Sequence, residues 1–180
     1  MQKTYLCIDL KSFYASVECV ELGLDPFKVN LVVADPTRGG GAITLAATPA
    51  IKKLGVSSRG RIFEIDPKIE YMMAPPRMHL YMEYSCKVYK VFLEFIAKED
   101  IHVYSIDESF LDVTSYLKLY QVNAKELAKK ILDRIYEKTG LTATVGIGTN
   151  LYLAKIAMDI SAKHNADRMA YLNEDLYRQT

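Results

Sequence analysis

No apolar run in this 180-residue chain approaches the roughly 20 residues needed to cross a bilayer, and no basic, apolar, cleavable leader opens it. A cytoplasmic protein is the expectation. Cysteine is scarce: Cys7, Cys19 and Cys86 are odd in number, unclustered and set in apolar or helical patterns, so neither a disulfide framework nor a zinc site is indicated. His79, His102 and His164 are equally scattered, with no spacing that puts two on one helix face. Charge of one sign is also missing, because a net charge of +1 neither points to nor excludes a polyanionic partner. Internal repeats and low-complexity segments are absent. What is there is ordinary for a soluble globular protein, 50% apolar and 25% charged residues, in a length that fits one domain or a compact core with an inserted lobe.

Tyr5 to Leu10 is a short β-rich run that leads into Ser12 to Glu18, whose composition favours a helix, and Asp9 stands at the strand's exit. Residues 29–34 give a second strand, and Pro36 to Gly41 must be a turn or mobile loop. A helix-like run from Pro49 to Leu54 stops at Gly55, and Pro67, Pro75 and Pro76 punctuate the stretch beyond it, so residues 13–78 look like a small lobe inserted into something else. Tyr81, Tyr84, Val88, Val91, Phe92 and Phe95 recur at helical steps, the mark of an amphipathic helix. Ile101 to Ile106 and Phe110 to Val113 read as a hairpin with Asp107-Glu108-Ser109 at its tip. Asn123 and Glu126 offer a capping box for a helix burying Leu127, Ile131, Leu132 and Ile135, which Gly140 ends. Thr142 to Ile147 is a further strand, and Asn150 can cap a helix carrying Lys155, Asp159 and Lys163.

Without the inserted lobe the order is strand, helix, strand, strand, helix, strand, the ferredoxin-like split βαβ unit. The expected fold is therefore α+β, a βαββαβ core with a small inserted α/β subdomain. In that topology the first strand lies beside the hairpin, so Asp9 can stand next to Asp107 and Glu108. Converging carboxylates raise each other's pKa unless a cation lies between them, and magnesium favours carboxylate, phosphate and water oxygens. The acids thus fit a divalent-metal site for phosphoryl or nucleotidyl transfer. Spacing alone equally fits two acids that solubilise a turn and an Asp9 that caps the next helix.

Three ordered motifs carry a more specific likeness. Cys7-Ile8-Asp9-Leu10-Lys11-Ser12-Phe13-Tyr14-Ala15-Ser16-Val17-Glu18, Ser105-Ile106-Asp107-Glu108-Ser109-Phe110-Leu111-Asp112, and Thr144-Val145-Gly146-Ile147-Gly148-Thr149-Asn150 with Leu153-Ala154-Lys155-Ile156-Ala157 resemble the catalytic motifs of Y-family, translesion DNA polymerases. Ala46 to Gly55 is more similar to the UmuC branch than to the DinB branch. The resemblance implies that Asp9, Asp107 and Glu108, with the Leu10 carbonyl, ligate two magnesium ions, and that a primer 3′-hydroxyl attacks the α-phosphorus of a deoxynucleoside triphosphate. It implies that Tyr14, next to Phe13, is the steric gate against a ribose 2′-hydroxyl, and that Lys163 contacts the triphosphate. Lys52 falls where many relatives carry a phosphate-binding arginine, and a lysine there is a point charge rather than a fork. Pro49 stands where the DinB branch has a tyrosine donor; proline donates nothing, which turns attention to Thr48.

The same resemblance maps residues 1–12 and 79–167 onto the palm, 13–78 onto the fingers and 168–180 onto the start of a thumb. It implies primer-template DNA and deoxynucleotide as partners, and a role in DNA damage tolerance and the SOS response. The thumb and little finger of the family lie outside the match, and with them many phosphate contacts and the region that usually binds a sliding clamp or accessory subunit. Low activity of the isolated chain is the expectation. Two alternatives stand beside this reading: a truncated, non-catalytic binding or interfering module, and a palm-fold nucleotide cyclase, against which the missing Gly-Gly-Asp-Glu-Phe signature and the presence of Phe13-Tyr14 both argue.

Overall fold

The computed structural model describes residues 2–179, which divide into two compact units, one of residues up to Lys11 and from Ser85 onward, the other Ser12–Tyr84. In the first, β1 (Tyr5–Leu10), β5 (Ile101–Ser105), β6 (Glu108–Asp112), β7 (Ala143–Gly148) and β8 (Met169–Leu172) form a five-stranded sheet in the order β5-β6-β1-β7-β8. β1 pairs antiparallel with both β6 and β7, so with α3 (Met78–Phe95) and α5 (Ala124–Thr139) the ferredoxin-like order expected above is present.

The alternation of β1 sorts its side chains between two faces. Ile8 and Leu10 share a small cavity wall with Val88 and Phe92 of α3. Cys7 packs instead with Phe110, Ala154 and Met158, on the side covered by α6 (Leu151–Ile156). Asp9, two residues after Cys7, shares this second face. Helix α5 forms because its apolar residues recur at helical spacing: Leu127, Ala128, Ile131 and Ile135 are buried. Its ends are specified, with the Asn123 side chain accepting from the Glu126 amide at 2.9 Å and Gly140 closing the helix at φ 75°. Burying each of the large aliphatic side chains contributes about 1.5–3 kcal/mol. Arg134 ties α5 to α3 through Glu94 at 2.8 Å.

β8 pairs parallel with β7, completing the sheet through a crossover that contains α6. Helix α4 (Thr114–Tyr120) lies between β6 and α5, and helix α7 (Glu174–Gln179) follows β8.

The Ser12–Tyr84 unit carries α1 (Phe13–Glu21), β2 (Leu31–Val33), β3 (Ala46–Ala47), α2 (Pro49–Lys52) and β4 (Met72–Ala74), with the sheet in the order β3-β2-β4. Its core is Val32, Ala47, Ile51 and Ile65. Pro36–Gly41 forms 3-10 turns on either side of a kink at Gly39 (φ 57°), the first of the two forms expected for it, and begins at Asp35, whose carboxylate accepts from the Thr37 amide at 3.0 Å. Among the described residues, no helix is long and apolar enough to cross a membrane.

Candidate active site

The end of β1 is held on both sides. The Leu10 amide donates to the Asp107 carbonyl at 2.8 Å and the Lys11 amide to the Thr142 carbonyl at 2.9 Å. Asp9 and Glu108 are direct cross-strand partners, a relation that places side chains on one face with their Cβ atoms about 5 Å apart. Asp107 occupies the hairpin tip beside them, where the Ser105 hydroxyl donates to its carboxylate at 3.0 Å and the Ser85 hydroxyl to the Ile106 carbonyl at 2.6 Å. These two serines fix the hairpin that presents the acids.

Burial, and then the charge of Asp107, push the Asp9 carboxyl up to about 6, with Lys163 working in the opposite direction. The Lys163 ammonium lies 3.7 Å from Asp9, and the Lys155 ammonium 2.5 Å from Glu108. Burial disfavours the Lys155 charge, but its hydrogen bond to Glu108 together with the charges of Glu108 and Asp159 more than offset this, and the group is raised to about 12. Burial and the neighbouring Glu108 raise the Cys7 thiol, whose Sγ donates to that carboxylate at 3.5 Å. Among the described residues no three His, Cys, Asp or Glu side chains stand together as a ready-made metal cluster. Two lysines already contact the acids, so a cation entering here must share or displace them. The donor set nevertheless fits a hard divalent ion in kind, since it is all carboxylate oxygen and its repulsion is only partly compensated.

The other expected residues lie in the Ser12–Tyr84 unit. Phe13 is buried, with its ring centroid 5.6 Å from that of Tyr14. Tyr14 is partly exposed and stacks on Tyr81 at 4.4 Å and 16°. Tyr81 in turn is fully buried, and its hydroxyl donates to Glu18 at 2.7 Å. Lys52 donates to the Ser12 hydroxyl at 3.0 Å. Ser12 sits at φ 48°, a left-handed conformation unusual for serine. Thr48 departs from expectation: it is fully buried, and its hydroxyl accepts from the Leu31 and Ile51 amides while donating to the Val29 carbonyl at 2.8 Å. That hydroxyl is committed to capping α2 and leaves nothing for a phosphate.

Lys155 makes a contact that sequence reasoning does not reach. It lies inside one of the three motifs, four residues before Asp159, but nothing in the spacing shows that it meets Glu108.

Residues 8–159 match the model of the impB/mucB/samB family. UvrX of Bacillus subtilis (strain 168), named for UV-damage repair, is 40% identical over 172 residues, 94% of this chain. A second protein of that organism, named DNA polymerase IV 2, is 38% identical over 178 residues, 97% of this chain. Among solved structures, the Y-family DNA polymerase chimera Dbh-Dpo4(243-245)-Dbh superposes over 98% of this chain with a TM-score of 0.79 at 27% identity. The chain spans 39% and 42% of the length of the two relatives and 50% of the solved chain.

Proposed function

The chain belongs to the impB/mucB/samB family of Y-family DNA polymerases, and from that premise we propose that it is the catalytic half of an error-prone translesion polymerase. The reaction is template-directed transfer of a deoxynucleotide to a primer 3′-hydroxyl. One observation carries the reading: Asp9 and Glu108 oppose each other across β1 and β6, with Asp107 adjoining and too little positive charge around them.

Asp9, Asp107 and Glu108, with the Leu10 carbonyl, would hold magnesium, two ions on the family resemblance. When bound there, the metal supplies the charge that activates the attacking 3′-hydroxyl and steadies the departing pyrophosphate. The chain's own side chains do the rest. Lys163, half-exposed beside Asp9, offers an ammonium to the triphosphate oxygens. Lys52, pinned by Ser12, is assigned by the resemblance to the same anion. Tyr14, backed by Tyr81, excludes a 2′-hydroxyl by bulk. Residues 1–12 and 79–167 serve as palm and 13–78 as fingers. The relatives' greater length supports partners bound through further domains, primer-template DNA foremost and a clamp or accessory subunit next. A cytoplasmic setting is consistent with this work. The UmuC-like character rests on Ala46 to Gly55 alone, while the named relatives include DNA polymerase IV 2.

The test is primer extension by the product of the complete reading frame, with Asp107→Ala/Glu108→Ala as control. Extension by the unaltered protein and none by the control is expected. Equal extension by both would refute the assignment of the acids.

A further inference from the structure

Lys155 and Lys163 are eight residues apart in the chain. Each residue of an α-helix advances about 100°, so at that spacing two side chains point about 80° apart. Yet both lysines reach the same pair of opposed carboxylates, Lys155 at 2.5 Å from Glu108 and Lys163 at 3.7 Å from Asp9. Between them the helix widens into a π turn at Ala157–Ser161 and then tightens into a 3-10 turn at Ala162–His164. A π turn takes in a residue that the α-helical repeat cannot. With that residue absorbed, the eight-residue spacing behaves like seven, which returns to the same face within about 20°.

A second feature acts at the same place. A Cβ on Gly146 would collide with the Ala154 carbonyl oxygen and the Met158 amide, and one on Gly148 with the Ala154 amide. These two glycines of β7 let the helix backbone settle directly on the strand, at the residues flanking Lys155. The close approach brings the Lys155 stem down beside Glu108. Lys155 is further held by Asp159 at 3.4 Å.

We propose that the π turn at Ala157–Ser161 is a register device that turns Lys155 and Lys163 onto one face. Lys155 is then a positioning residue that orients Glu108, and Lys163 the cation that meets an incoming triphosphate beside Asp9. Each ammonium competes with a bare divalent ion for carboxylate oxygens and attracts a polyanion. The ligand side of this inference rests on the functional reading above; the register does not.

Two length variants test it. Deleting Ile160, an exposed residue of the π turn, reduces the spacing of the two lysines to seven in a continuous α-helix. Inserting one alanine after Ile160 makes the spacing nine and rotates Lys163 away. The probes are Mn²⁺ alone and a non-hydrolysable deoxynucleoside triphosphate with Mn²⁺. The deletion should bind both within about threefold of the unaltered chain, whereas the insertion, like Lys163→Met, should bind the triphosphate about tenfold or more weaker and Mn²⁺ alone severalfold tighter. Crystal structures of the two variants read the register without a ligand, with Lys163 beside Asp9 in the deletion and away from it in the insertion. Lys163 beside Asp9 in both, or in the insertion alone, overturns the proposal. The expected pair of structures in a chain that binds neither probe upholds the register and counts against the functional reading.

Because a length change can cost folding, Lys155→Met and Lys155→Arg form a second arm. Mn²⁺ alone should bind severalfold tighter to the Met variant, with Glu108 displaced in its crystal structure, and the Arg variant should restore both. Equal affinity in all three, with Glu108 unmoved, overturns the positioning role.

Discussion

Glu18 on α1 and Asp9 at the end of β1 are both acids taken largely out of water, and the chain treats them differently. Glu18 is 3% exposed and fully provided for by its own unit: the Arg77 guanidinium bonds it through Nε and Nη2, and the Tyr81 hydroxyl donates to it. Asp9 has a single ammonium at 3.7 Å, faces Glu108 across the ladder, and lies beside Asp107, so its carboxyl is held up near 6. One carboxylate is a finished piece of architecture. The other carries a charge that Lys163 compensates only in part, as expected of the cation site proposed above, kept for function at some expense of stability.

The largest effect that bears on this contrast is catalytic. In the product of the complete reading frame, Asp107→Ala/Glu108→Ala should cut primer extension by about a thousandfold or more, because acids that act as one unit fail together. Glu18→Ala should instead destabilise by about 1–3 kcal/mol, the cost of leaving the buried Tyr81 hydroxyl without its acceptor while the half-exposed Arg77 regains water, measured by urea unfolding. It should also loosen the Tyr81 ring that backs Tyr14. Tyr14→Ala should raise ribonucleotide incorporation by about tenfold or more with little change in stability, since the role proposed for it is exclusion by bulk; unchanged sugar selectivity would remove it from the gate.

Asp9→Asn should go the other way from Glu18→Ala. A carboxyl whose folded pKa lies above its unfolded value binds more protons in the native state between about pH 4 and 6, so stability falls as pH rises through that window. Above it the penalty is constant, about 2–3 kcal/mol for a shift of this size. Asp9→Asn should therefore be more stable than the unaltered chain at pH 7 by an amount of that order, with the difference vanishing below about pH 4. A chain that loses stability on this substitution would place Asp9 in the same class as Glu18.

How much of this was legible depends on the lengths of the signals. Asp9 meeting Glu108 could be read from element order, because long periodic elements such as α3 and α5 announce themselves and the split βαβ topology then leaves one place for β1. The sequence suggests an inserted stretch at 13–78 from its proline-punctuated loops alone, and Ser12–Tyr84 forms a compact unit of its own. Strands β3 and β4, of two and three residues, are too short to show a period. The pairing of β8 with β7 is not legible in sequence, because a strand at the sheet edge carries no mark of its partner. The burial of the Thr48 hydroxyl depends on the β2 backbone brought beside it, and the contact of Lys155 with Glu108 depends on a π turn that no α-helical spacing rule describes.

Calorimetric titration of Mn²⁺ into the chain at pH 7.5, with a non-hydrolysable deoxynucleoside triphosphate present, bears most directly on the idea that these acids form a cation site. Saturable binding to the unaltered chain is expected, weakened about tenfold or more by either Asp9→Asn or Glu108→Gln. Equal affinity in all three chains would contradict it.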